Sequence, residues 1–211
     1  MGKLYYFYSC MNGAKSANLL TKAHQFKESG CNVLLLKPSF DTRDEGVIKS
    51  RAILEPQPCY VFDKDTNVFR LVYSLLGRIM EEKRKIGKVC IFVDEVNFAT
   101  KKQIEQLWEL TRSPYDISVF AYGLKTTYQN ELFEASEKLL ILSDSITEMK
   151  SMCSQYDCSQ KATTHLRKIG DKYVFQGETT IVGDVQGDEK YESVCMSCWY
   201  KEYDKVRDKE K

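Results

Sequence analysis

The chain has 211 residues, 43% hydrophobic and 12% aromatic, enough apolar mass for a folded core and too much for a disordered segment. Lysine and arginine (31) nearly cancel aspartate and glutamate (30), so the net charge of +1 gives no global attraction to nucleic acid or anionic lipid. No apolar run approaches the roughly 20 residues of a membrane-spanning helix, and no signal-peptide pattern precedes the first apolar run, so a cytoplasmic protein is expected.

Leu4–Tyr8 is an apolar run of strand length. After an eight-residue loop, Ser9 to Ser16, a helical pattern places Leu19, Leu20, Ala23 and Phe26 on one face, with Gly30 at the C-cap position. Val33–Leu36 reads as a strand covered on both faces. From Pro38 to about Pro58 the chain is polar and without strong periodicity, which predicts a loop.

The 3.6-residue repeat through Val68, Val72, Leu75, Leu76 and Ile79 predicts the clearest helix of the chain. Val89–Val93 is another buried-strand run. Thr100 and Gln103 have capping-box spacing ahead of Ile104, Leu107 and Trp108. Ile117–Tyr122 and a further apolar run at Leu139–Leu142 continue the alternation. Strands alternating with helices predict an α/β fold, a parallel sheet flanked by helices. Past Met149 the helical period disappears, and short strand-like pieces at 162–167, 172–175 and 180–182 lie between two cysteine pairs. The expected organisation is an α/β domain over 1–149, a small β-rich lobe over 150–200, and a charged tail over 201–211 that is a solvated helix end or frayed.

Three patterns carry chemistry. Ser9-Cys10-Met11-Asn12-Gly13-Ala14-Lys15-Ser16 stands between the first strand and first helix, the context of a P-loop. There backbone N–H groups wrap phosphates, the Lys reaches the terminal phosphates and the Ser holds Mg²⁺. The usual spacing is Gly, four residues, Gly, then Lys and Ser or Thr. Here Ser9 and Ala14 occupy the two glycine positions, and a glycine falls one place early at 13. The second pattern is Asp94-Glu95 at the end of a buried strand, one carboxylate for the metal shell and one free to take a proton. Taken alone, either pattern is weak; together they favour a phosphoryl-transfer site.

The third pattern comes from the eight cysteines. Cys10, Cys31, Cys59 and Cys90 are scattered and read as small buried hydrophobes. Cys153-x₄-Cys158 and Cys195-x₂-Cys198 supply four thiolates, the number a closed structural Zn²⁺ site takes. Such a zinc staples the lobe and takes no part in catalysis. His165 is then a strand residue, because four cysteines already complete the shell.

In order along the chain, five blocks resemble the type II thymidine kinases: the Tyr8–Ser16 segment, Lys37-Pro38 with Asp41-Thr42-Arg43, Val93-Asp94-Glu95 with Phe98, Tyr122-Gly123-Leu124, and Tyr191-x-Ser193-Val194-Cys195. The resemblance covers about residues 3 to 200. It implies ATP-dependent phosphorylation of the thymidine 5′-hydroxyl. On it, Glu95 is the general base, Lys15 and Ser16 hold the ATP phosphates and Mg²⁺, and Asp94 completes the metal shell. Asp41 and Arg43 become a loop pair beside the phosphates. Met11, Phe98, Leu124, Tyr128 and Phe133 enclose the thymine ring. Val182, Gly183, Asp184 and Val185 form a lasso whose backbone reads the base edge, and Tyr191 contacts sugar or base. The implied partners are thymidine, ATP, a feedback-binding thymidine triphosphate and further copies in a homotetramer or dimer, with neither nucleic acid nor membrane.

The chain departs from that family at several points. Gly13-Ala14 reverses the small-residue-then-glycine order, Asn97 stands where Gln is common, and Gln186 replaces a lasso glycine. The first cysteine pair is spaced by four residues where the family has two. Two other readings stay open: a P-loop nucleotide sensor that has lost turnover, and a zinc-ribbon module for nucleic acid. The second lacks a concentrated basic patch on the lobe.

Overall fold

The computed structural model describes residues 1–39, 46–83, 87–177 and 189–208. Asp41, Arg43 and the lasso residues Val182, Gly183, Asp184 and Val185 lie outside them, as does the expected strand at 180–182. Among the described residues six strands form one parallel sheet: β1 (Leu4–Ser9), β2 (Asn32–Pro38), β5 (Tyr60–Phe62), β6 (Val89–Val93), β7 (Ile117–Leu124) and β8 (Ser145–Glu148). Their order is β5-β2-β6-β7-β1-β8.

Period-2 alternation sends successive side chains to opposite faces, so both faces are apolar. Leu4, Tyr6, Leu34, Leu36, Ile91 and Val93 pack under helices α2 (Val68–Lys83), α3 (Lys101–Leu110) and α4 (Glu134–Leu142). Phe7, Cys90, Phe92, Phe120 and Tyr122 face α1 (Lys15–Glu28). Aromatic rings stack across neighbouring strands there, Phe92 on Phe120 and Phe7 on Tyr122, each at 4.7 Å between centroids. Thr100 caps α3 with the full capping box, its hydroxyl accepting from Gln103 N–H while the Gln103 side chain accepts from Thr100 N–H. Gly30 has φ +80 in the turn after α1, as its C-terminal position predicts.

The apolar run Leu139–Leu142 is the last turn of α4, with Ala135, Ser136 and Leu139 as its buried stripe. The sixth strand lies just beyond it, a largely exposed Ser-Ile-Thr-Glu stretch too polar to show as an apolar run. The polar stretch after Pro38 also holds structure: β3 (Val47–Ser50) and β4 (Ile53–Pro58) pair as an antiparallel hairpin with Ile48 buried. Pro56 and Pro58 hide it from the sequence, because proline removes ladder donors and is tolerated only where none is needed.

The C-terminal lobe is a three-stranded antiparallel sheet, β10-β9-β11, from β9 (Thr164–Ile169), β10 (Lys172–Val174) and β11 (Glu189–Val194). Its small core gathers Leu166, Val194 and Trp199 beside the cysteines. Helix α5 (Met196–Arg207) runs on into the charged segment, which is a solvated helix end up to Arg207. Tyr203 stacks on Trp199 at 5.1 Å, and the ring of Phe175 meets both edge-on.

Candidate active site

The loop after β1 turns sharply into α1. Lys15 opens the helix, is buried, and its ammonium donates to Cys10 C=O at 3.1 Å, with Ser9 Oγ at 3.5 Å. Asn12 (φ 58) and Ala14 (φ 56, ψ 25) are both left-handed. Asparagine tolerates that region, whereas alanine pays about 1 kcal/mol or more. Gly13 is not left-handed, so the early glycine does not supply the missing backbone freedom. It supplies room: a Cβ at 13 would sit 2.3 Å from Ser9 Oγ and 3.0 Å from Cys10 O. The two departures from the usual loop thus depend on each other, since the Ser9 side chain fills the space beside residue 13.

This geometry changes what the family order would do here. Gly13→Ala with Ala14→Gly relieves residue 14 and creates a clash with Ser9, so the pair is expected to weaken ATP binding. Ala14→Gly alone, or all three changes with Ser9→Gly, is expected to tighten it about fivefold, the equivalent of about 1 kcal/mol. Titration of the three variants with ATP checks this; equal affinity in Ala14→Gly and the unaltered chain would refute the strain.

At the end of β6 the chain changes direction. Asp94 is buried, and its Oδ2 accepts from the Ser16 hydroxyl at 2.8 Å. Its Oδ1 is buried with no hydrogen-bond partner among the described residues. Burial, reinforced by the neighbouring Glu95, raises the Asp94 carboxyl to about 7. An orphaned carboxylate oxygen beside a P-loop serine suits a hard cation such as Mg²⁺, which would supply the missing partner and favour the ionised form.

Glu95 has φ 48, a left-handed position that costs energy unless the surroundings impose it. Glu95 lines the same cavity of about 370 Å³ as Met11, Lys15, Ser16 and Leu124. Lys49 and Arg51 of the β3–β4 hairpin line it too. Sequence reasoning missed these two cations, because nothing in the polar stretch after Pro38 signalled a hairpin folded over the loop.

Beyond Glu95, Phe98 and Phe133 meet edge-to-face at 5.9 Å. Asn97 is buried, and its Oδ1 accepts the Leu124 N–H at 2.9 Å. Gly123 makes the approach possible, since a Cβ there would lie 2.7 Å from Asn97 Oδ1. Tyr128 is only 2% exposed. Its hydroxyl accepts from Arg167 Nη1 at 3.2 Å, its carbonyl accepts from Trp199 Nε1 at 3.2 Å, and the Tyr191 ring stands edge-on at 6.3 Å. Arg167 is held in turn by Glu189 at 2.6 Å. Tyr128 and Tyr191 therefore sit where lobe and α/β domain join.

The four cysteine sulfurs of the lobe lie within 4.8 Å of one another. Cys158 Sγ and Cys195 Sγ are 3.7 Å apart. A tetrahedral zinc with bonds of about 2.3 Å sets its sulfurs about 3.8 Å apart, so Cys153, Cys158, Cys195 and Cys198 fit that ion. His165 is not among them. It is buried in β9, and its Nε2 accepts the Met11 N–H at 2.8 Å.

Comparison with known proteins agrees with the arrangement. The thymidine kinase family profile matches residues 2–199. A thymidine kinase of Rhodopirellula baltica is 38% identical over 197 residues, spanning 92% of this chain and 86% of the relative. Those of Streptococcus agalactiae and Lactococcus lactis are each 36% identical, spanning 95% of this chain and 98% of theirs. Among solved structures, an ATPase domain shares the fold at a TM-score of 0.51 and 13% identity, over 79% of this chain and 75% of that one. The matched span takes in the phosphate loop, the paired carboxylates and the four lobe cysteines, and this chain belongs to the thymidine kinase family.

Proposed function

We propose that the protein transfers the γ-phosphoryl group of ATP to the 5′-hydroxyl of thymidine. The observation that carries this reading is the cavity shared by Lys15, Ser16 and Glu95, with Asp94 bonded to Ser16 at its edge, in a chain of this family. Phosphoryl transfer needs in-line positioning, charge neutralisation and one proton acceptor, and little covalent chemistry from the protein. Lys15 and the loop N–H groups of residues 14 to 16 hold the phosphates. Ser16 and Asp94 would hold Mg²⁺, which when bound neutralises charge on the β- and γ-phosphates. Glu95, beside Asp94 and facing the cavity, accepts the proton of the 5′-hydroxyl.

The base is placed against Met11, Leu124, Phe98 and Phe133, with Tyr128 and Tyr191 closing the side toward the lobe. An uncharged ring calls for such apolar walls with a few fixed polar groups. Asp41 and Arg43 beside the phosphates, and the backbone of 182–185 on the base edge, complete the proposal, together with a homotetramer, feedback by thymidine triphosphate and a cytoplasmic location. No helix among the described residues is long and apolar enough to cross a membrane.

Incubation of the purified chain with Mg-ATP and a panel of nucleosides tests the reading. Thymidine is expected to give thymidine monophosphate, and deoxyadenosine and deoxyguanosine to give none. ATP binding without phosphorylation of any nucleoside would leave a nucleotide sensor in its place.

For the lobe, metal analysis is expected to find about one zinc per chain. A strong chelator should then loosen the segment 150–200 before the α/β sheet, since so small a core gains most of its stability from the ion. Disulfides among the four cysteines and no metal, in protein prepared under reducing conditions, would defeat this.

A further inference from the structure

The phosphate loop and the cysteine lobe meet at one residue. The Met11 N–H donates to His165 Nε2 at 2.8 Å, and the Met11 carbonyl accepts from the Ser193 hydroxyl at 2.7 Å. His165 and Ser193 lie directly opposite each other on β9 and β11, and both are buried. The lobe therefore satisfies both backbone polar groups of a single loop residue with two adjacent side chains. Acceptance at Nε2 requires a neutral ring, and burial, with Lys15 nearby, pushes the imidazole down to about 3.

On the far side of Met11 the loop is under backbone strain. Asn12 and Ala14 are both left-handed and neither is glycine. Such conformations persist only where the surroundings over-determine them. Met11 itself lines the cavity with Lys15 and Glu95. Fixing both ends of its peptide geometry fixes the entry to the strained segment.

We infer that His165 and Ser193 are positioning residues through which the lobe holds the phosphate loop, by the Met11 backbone, in the shape that binds nucleotide. The inference deepens the kinase reading and rests on it for what the cavity takes. A pair that served only to fill the lobe would affect melting and metal content and leave the affinity of the folded protein for nucleotide unchanged.

The test uses the full chain and four forms: unaltered, Ser193→Ala, His165→Leu and His165→Gln. Glutamine keeps an acceptor near the position of Nε2; leucine leaves the Met11 N–H unpaired. The readouts are affinity for a fluorescent ATP analogue with Mg²⁺, turnover of thymidine, melting temperature and bound metal. Ser193→Ala and His165→Leu are expected to weaken analogue binding about tenfold each at temperatures well below melting, with metal retained. His165→Gln is expected to restore affinity to within about threefold. Unchanged affinity in Ser193→Ala, or a glutamine variant as weak as the leucine one, overturns the inference; if His165→Leu fails to fold, the other two variants decide it. An unaltered chain that binds the analogue but does not phosphorylate thymidine defeats the kinase reading, while the affinities still test the clamp. An unaltered chain that binds no nucleotide defeats both.

Discussion

Lys15→Ala is expected to reduce turnover by roughly 100- to 1000-fold, the scale for removing one preorganised group that stabilises transition-state charge, and to weaken ATP binding with it. Lys15 is the buried cation of the loop, its ammonium already held against the Cys10 carbonyl at the mouth of the cavity. A buried charge is screened less than an exposed one, so its loss is felt more strongly by the phosphates. Alanine also removes the contact with Ser9 but leaves Asp94 and Ser16 bonded to each other, so the fold is expected to survive. Melting temperature, ATP titration and steady-state rates together separate the effects. Turnover within threefold of the unaltered chain would remove Lys15 from the phosphate site.

Glu95→Gln is expected to keep ATP and thymidine binding while lowering turnover at least ~100-fold, the usual cost of losing a general base. Glutamine matches the shape of the carboxylate and cannot take a proton. Substitution at this position is also mild for the backbone, because both residues meet the same left-handed φ of 48. A loss confined to kcat is the expected signature. Equal loss in binding would point instead to a role in holding substrate, and an undiminished kcat would exclude Glu95 as the base.

Much of this fold was legible because its strands are apolar on both faces. Val89–Val93 and Ile117–Tyr122 have no other way to be soluble than inside a sheet, and the stripe from Val68 to Ile79 has only one helical face to bury. What escaped was structure held by few apolar groups. β8 has a single isoleucine, and the β3–β4 hairpin is masked by its prolines. The chemistry was legible where side-chain type decides it, at Lys15, Ser16, Asp94, Glu95 and the four lobe cysteines. It was illegible where backbone groups are the partners: no sequence pattern says that His165 and Ser193 answer the N–H and C=O of Met11, more than 150 positions away from the first of them in the chain. Gly13 shows the same limit. The sequence points to its dihedral, whereas the structure shows that it is needed for the space beside Ser9.

That space also orders the history open to the loop. A side chain at 9 and one at 13 compete for one volume, so either residue can be small while the other is larger, and both can be glycine. A lineage moving between glycine-first loops and this serine-first loop therefore passes through the form with glycine at both positions. The form with a side chain at both is a dead end, however common each residue is separately. Mutational scans that change one position at a time would rank Gly13 as invariant in this chain, whereas with glycine at 9 only the close approach to the Cys10 carbonyl, 3.0 Å, still opposes a side chain at 13. The constraint belongs to the pair, and tolerance at either position can be forecast only when the other is known.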